Sequence, residues 1–279
     1  MAKGKRKKAK LSTDLIVLLV FFAGLATFAY PFVAQAVNTV TVALRVQRDT
    51  KMAQENARKQ AADMKANNER LAKYGMRPNS DIFEQKGTGI QSVKALREHM
   101  IGVITIPKLN VNLPLFDTVG EDLLQNGAVV LPGTSAPTGG ASTHTVISAH
   151  SGLPSKTLFT NLYKLKKGQQ FIITVNDKRL AYKVNKIETI EPTDTKALTI
   201  VPGKDLATLM TCTPIGINSH RLLVTGYRVP YTEATAKAVS VGTQRAWWQS
   251  LGVIAGAVLG LALLITLIVR LVRKHRRPH

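Results

Sequence analysis

The sequence predicts a mainly β domain, a barrel or a sandwich, preceded by helices and flanked by two membrane-spanning helices. Three observations carry this reading. After Ile101 short apolar, β-branched runs alternate with turn residues, the texture of a many-stranded β domain. The segment 37–74 contains no Gly or Pro, which suits helix. Each end of the chain sets an apolar run beside a cluster of basic residues.

The first cluster is Lys3, Lys5, Arg6, Lys7, Lys8 and Lys10, in a basic tail 1–14 that precedes the apolar run 15–36. The last is Arg270, Arg273, Lys274, Arg276 and Arg277, in the tail 270–279 that follows a span at 249–269. The uncharged runs 15–36 and 251–269 hold 22 and 19 residues. At about 1.5 Å of rise per residue, each can cross a hydrocarbon core of about 30 Å. Basic clusters stay on the cytoplasmic side, so both termini are expected inside and residues 37–245 outside, with Trp247 and Trp248 at the interface. A cleaved signal peptide is the rival for the first run, because Ala34, Gln35 and Ala36 form a small-x-small pattern. The run is longer than a usual signal core, which favours an uncleaved anchor.

The 279 residues include 38 Lys and Arg against 17 Asp and Glu, a formal charge of +21. Such a balance suggests nucleic acid or a membrane surface. Eleven of the basic residues lie in the two tails, where they read as topology signals and contacts with anionic lipid, so no nucleic-acid partner is expected. The exported part keeps 27 basic and 16 acidic residues, a net +11 that suits an anionic cell surface or simply solubility. A hydrophobic content of 45% excludes a disordered polycation, and the single cysteine excludes a disulfide framework or a zinc site of several thiolates.

Between the spans, 37–75 reads as a helical stalk of one or two helices ending at Gly75. Residues 76–90, with Arg77, Pro78, Asn79, Ser80, Gly87 and Gly89, have loop composition. The β domain occupies 91–230, with strands expected at 102–106, 111–116, 145–148, 171–175, 180–190, 207–211 and 222–229. Residues 231–248 form a linker to the second span.

Cys212 ends the strand 207–211 and precedes the loop-like Thr213-Pro214-Ile215-Gly216-Ile217-Asn218. A lone cysteine is commonly a small buried hydrophobe. A thiol outside the cell faces oxidation, however, and a strand end beside a loop can present a reactive group, so both readings stand on position alone. A useful thiolate needs a nearby cation, and acyl transfer needs a donor for the oxyanion. Arg221 opens the next strand, where a hairpin brings it to the end that carries Cys212. Its pKa above about 12 excludes it as a base, leaving stabilisation of carbonyl and oxyanion, or simply a solvated charge. For the acid or base, His99, His144, His150 and His220 compete. His150 has the strand-end placement of Cys212, and spacing prefers it to His220 without deciding.

Thr208-Leu209-Met210-Thr211-Cys212 resembles the TLxTC signature of sortases, the membrane-bound cysteine transpeptidases of Gram-positive bacteria, with Arg221 where their arginine falls. The continuation to Val224 looks like class C, the pilus-assembling branch, as does Ser148-Ala149-His150-Ser151-Gly152-Leu153-Pro154. Ile101-Gly102-Val103-Ile104-Thr105-Ile106-Pro107 resembles the family's first strand, so the likeness covers roughly 75–230.

The resemblance implies an eight-stranded sortase β-barrel, with Cys212 as nucleophile, His150 as general acid and later base, and Arg221 as stabiliser of substrate and oxyanion. Thr211 and Ile215, either side of Cys212, become candidate substrate-binding residues. The implied reaction cleaves an LPxTG-like signal of a surface or pilin protein between Thr and Gly. The acyl group passes through a thioester to an amine, a pilin lysine or a cell-wall precursor, without cofactor or metal. Class C also implies a lid of Asp, Pro and an aromatic residue; here it would be Asp81-Ile82-Phe83, with Asp81 towards Arg221, Phe83 over Cys212, and Ile82 in place of the stiffening proline.

Leu131-Pro132-Gly133-Thr134-Ser135 nearly spells a sorting signal but lies far upstream of the second span, and reads as a turn. The alternatives are a housekeeping sortase that anchors surface proteins to the wall, a membrane-anchored cysteine peptidase, and a basic module that binds anionic wall polymers.

Overall fold

The computed structural model describes residues 2–78 and 93–276. Two helices here are long and apolar enough to cross a membrane, α1 (Ala2–Lys59) and α5 (Glu233–Arg276). They lie side by side; Phe22, Leu25 and Val33 of α1 and Val253, Ala257 and Leu261 of α5 line an apolar groove of about 960 Å³. The expected linker 231–248 is helical from Glu233 onward, because nothing in it breaks the α5 pattern: Gly242 packs where a Cβ would stand 2.9 Å from the Pro107 carbonyl.

The segment expected as a stalk lies against the β domain. Val42, Val46, Ala53 and Ala57, at helical spacing on one face of α1, are buried in the main core. Asp49 on that face is buried too, bonded to Arg48 at 2.8 Å and paired with Arg97 at 3.1 Å. Asn56 caps the approach to the barrel, donating to the Arg97 and Met100 carbonyls at 2.8 and 2.9 Å. A break at Gln60 starts α2 (Ala61–Tyr74), which buries Met64, Asn68 and Leu71 and ends at Gly75, where φ is +84°. At the outer end of the first apolar run, the Gln35 amide donates to the Pro154 carbonyl at 3.3 Å, and Thr157 Oγ1 donates to Gln35 Oε1 at 3.5 Å.

After the short helix α3 (Val93–Glu98), eight strands close a barrel: β1 (Met100–Ile106), β2 (Val111–Phe116), β3 (Ala128–Val130), β4 (Thr143–Ser148), β5 (Gln170–Val175), β6 (Lys178–Ile190), β7 (Asp205–Thr213) and β8 (His220–Val229). Helix α4 (Glu121–Asn126) lies between β2 and β3. The spatial order is β1-β2-β3-β4-β7-β8-β6-β5, with β5 back beside β1. This settles the choice between barrel and sandwich. The β5–β6 hairpin turns through Asn176 and Asp177 with φ of +48° and +61°, the left-handed pair that a two-residue turn between right-twisted strands requires. Gly102 is glycine because a Cβ there would sit 2.1 Å from the Thr174 carbonyl of β5.

Strand β4 is buried along its whole length, and β7 nearly so. They pair in parallel at the centre of the molecule. Strand β3, not expected from the sequence, has three residues and pairs with β2 and β4, so its short length hides any alternation. Residues 131–135 turn out of β3: Leu131 is fully buried, and both Thr134 N and its hydroxyl bond to the Leu131 carbonyl.

Candidate active site

The antiparallel register of β7 and β8 sets Cys212 directly opposite Arg221. Directly opposed residues project from the same face of the sheet, so the thiol and the guanidinium share one side at one barrel end. Parallel pairing sets Ser148 beside Met210, and two further residues along both chains bring His150 alongside Cys212. That continuation is held by bonds: Ala149 N to the Met210 carbonyl at 3.2 Å, and Ser151 Oγ to the Cys212 carbonyl at 2.7 Å. The three residues that the sequence singled out therefore converge. All three are largely withdrawn from water: Cys212 is 7% exposed, Arg221 3% and the His150 side chain 16%.

Arg221 is aimed by the loop that follows Cys212. Its Nη1 donates to the Asn218 and His220 carbonyls at 2.9 and 3.2 Å. Those carbonyls are presented by a turn in which Asn218 takes φ of +60° and donates its N–H to the Pro214 carbonyl at 2.9 Å. A planar guanidinium fixed at one nitrogen is fixed in direction, which a flexible ammonium is not.

Burial lowers the His150 pKa, the Glu121 carboxylate raises it, and Lys156 lowers it. Glu121 Oε1 stands 3.4 Å from His150 Nε2. Sequence reading missed this partner, since an acid 29 residues upstream of the histidine carries no mark beyond following Gly120 at a helix start. Chemically, the cluster combines a thiol, an imidazole and a cation in a poorly hydrated pocket. Such a set suits nucleophilic acyl transfer.

The other histidines are placed elsewhere. His220 is on the outside of β8, 2.8 Å from Ser219 Oγ and 3.4 Å from Glu191, and alternation turns it away from Arg221. His99 pairs with Asp117 at 2.9 Å. His144 is buried in the barrel with both ring nitrogens engaged. Its Nδ1 donates to the Thr199 carbonyl at 2.8 Å, so Nε2 accepts from the Thr208 hydroxyl at 2.7 Å, and Thr208 accepts in turn from Thr225 at 2.8 Å.

That chain needs neutral imidazole, and burial holds the His144 pKa below the usual histidine value. The unfolded chain therefore takes up this proton first as pH falls below about 6.5, so the folded state loses stability there by up to about 1.4 kcal/mol per pH unit. The stability is fully present above that range. Denaturant unfolding in micelles at pH about 7 and about 5 should show the loss, and His144→Gln should shrink it. Equal losses in both proteins would remove His144 as its source.

Thr211 is 2% exposed and alternates to the face opposite Cys212, its hydroxyl donating to the Ala149 carbonyl at 2.7 Å. That bond supports the strand end that carries His150. Ile215 is 49% exposed and lies over Gly152, where a Cβ would meet its Cγ2 at 2.7 Å, so the loops after β4 and β7 touch beside the cluster. The expected lid residues Asp81 and Phe83 lie outside the described residues.

A family model described as "Sortase domain" matches residues 104–229. Sortase A of Streptococcus agalactiae serotype III (strain NEM316) is 34% identical over 117 residues, 41% of this chain and 47% of that protein. Sortase D of Bacillus subtilis (strain 168) is 27% identical over 131 residues, 46% of this chain and 63% of that protein. The matches thus span about half to under two thirds of the curated relatives' length. Solved structures match more fully. The pilus-related sortase C of Group B Streptococcus is 42% identical, covering 67% of this chain and 97% of that one, with a TM-score of 0.56. Sortase C2 of Group B Streptococcus pilus island 1 is also 42% identical, covering 63% and 98%, with a TM-score of 0.54.

Proposed function

The chain belongs to the sortase family, and from that membership and the geometry of its site we propose that it is a membrane-anchored cysteine transpeptidase of the pilus-assembling branch. The observation that carries the proposal is the meeting of Cys212, Arg221 and His150 at one buried barrel end. The substrate is a protein with an LPxTG-like signal. The Cys212 thiolate attacks the Thr carbonyl carbon, and the resulting oxyanion is stabilised beside the Arg221 guanidinium. The C–N bond to Gly breaks as imidazolium His150 gives its proton to the departing amine, leaving a thioester. Neutral His150 then accepts a proton from the incoming amine, a pilin lysine, as that nitrogen displaces the thiolate and forms an isopeptide bond.

The buried setting favours this outcome over hydrolysis, because a thioester shielded from water survives until an amine arrives. The basic tails and the two apolar helices support a topology with both termini inside and the barrel outside the cell membrane. The test is incubation of the full chain in micelles with an LPxTG-type peptide, with and without an amine acceptor. An amide product joining the peptide to the acceptor is expected. Hydrolysis with no amide under any acceptor condition would make the protein a peptidase instead.

A further inference from the structure

Among the described residues Glu121 is the acid placed against His150, and α4 is built to keep it there. Leu123 and Leu124 of this short helix are almost wholly buried, anchoring it in the core. Gln125 Nε2 donates to Glu121 Oε1 at 2.8 Å, the same oxygen that stands 3.4 Å from His150 Nε2. The far end of α4 is tied on two sides: Lys156 Nζ donates to the Gln125 carbonyl at 2.7 Å, and Arg45 Nη1 of α1 donates to Asn126 Oδ1 at 2.7 Å. A carboxylate on so fixed a mount is a defined neighbour for the imidazole.

We propose that Glu121 is a positioning residue for His150, orienting the ring and holding its proton while Cys212 is a thiolate. The proposal rests on the reading that His150 and Cys212 act together. The chemistry needs imidazolium twice, as partner of the thiolate and as acid for the leaving amine, in a pocket whose burial opposes that charge. Several titratable groups surround the ring: Glu121 from α4, Lys156 from the loop after β4, Cys212 from β7 and Arg221 from β8, with Arg45 of α1 beyond Lys156. Of these, Glu121 is the acid that acts against the burial of the imidazolium. Lys156 opposes the imidazolium, and its ammonium is bonded to the Gln125 carbonyl.

The protein's single cysteine allows a direct test on the full chain in micelles, the rate of Cys212 alkylation by iodoacetamide against pH, read by intact mass. Glu121→Gln should move the histidine-linked inflection down by roughly half to one pH unit, a modest figure because the Glu121 side chain is 42% exposed. Glu121→Asp, which keeps the charge, should shift it less. If Glu121→Gln fails to fold, the smaller downward shift in Glu121→Asp, which lengthens the distance to the ring, decides the matter. An unchanged inflection in a folded Glu121→Gln protein, or, where that variant does not fold, in Glu121→Asp, overturns the proposal. A shift in Glu121→Gln, with a wild-type protein that makes no amide product, would leave Glu121 its place and remove the transpeptidase reading. Amide product with no shift would do the reverse.

Discussion

Cys212→Ala is expected to abolish the thioester and to lower amide formation at least about a thousand-fold, while the barrel stays folded. The size follows from the chemistry: no other cysteine exists in the chain, and neither His150 nor Arg221 can form a comparable acyl intermediate. The structural cost is small. Removing one sulfur from the open end of a strand leaves little cavity, on the order of 1 kcal/mol, so the unfolding midpoint should move by only a few degrees. Cys212→Ser should be nearly as inactive, because a hydroxyl is far harder to ionise than a thiol beside the same cations. The measurement is intact mass after exposure to the sorting peptide, with the amide product followed separately. Retained product in the alanine variant would remove Cys212 from the mechanism.

Arg221→Ala is expected to lower amide formation by about a hundred- to a thousand-fold, the range seen when one oxyanion donor is lost. Arg221→Lys should recover little of it. Nη1 already serves the Asn218 and His220 carbonyls, and the register sets Arg221 on the face it shares with Cys212. An ammonium has neither the reach nor the planarity to hold that loop and face the substrate together. The lysine variant also separates chemistry from folding, since it keeps the charge. If it were as active as wild type, the residue would be supplying charge alone and the directional argument would fail.

Much of the fold can be read from the sequence because the barrel strands are long enough to show their pattern: β1, β2 and β4 to β8 all fall within two residues of the expected apolar runs at one end or both. What stays hidden is what depends on distant pairing. Ala128, Val129 and Val130 are a strand only because β2 and β4 flank them, and three residues display no period. Barrel and sandwich differ only in whether β5 returns to β1, a contact between elements with the same texture in either fold. The site divides in the same way. Strand-end position marks Cys212, Arg221 and His150 as candidates, but it does not decide between a reactive and a buried thiol or between His150 and His220; the choice comes from the family resemblance. The approach of Glu121 to His150 is not legible, because it is created by where α4 packs, and adjacency of Thr211 to Cys212 in sequence hides that alternation sends the two side chains to opposite faces of the strand.

The bonds between Gln35 and the loop after β4 set an altitude. With the proposed span in the bilayer, Gln35 marks the outer surface of the membrane, so the loop that begins at His150 rests almost on the lipid headgroups. The cluster therefore works at the base of the barrel, within a few residues' reach of the membrane. On the proposed activity, a membrane-anchored substrate whose scissile peptide lies just above its own anchor would meet the site by lateral diffusion, a search in two dimensions. Its effective concentration is then set by crowding in the plane of the membrane, whereas a peptide free in bulk solution has to find the same cleft from three dimensions and pays the full cost of capture.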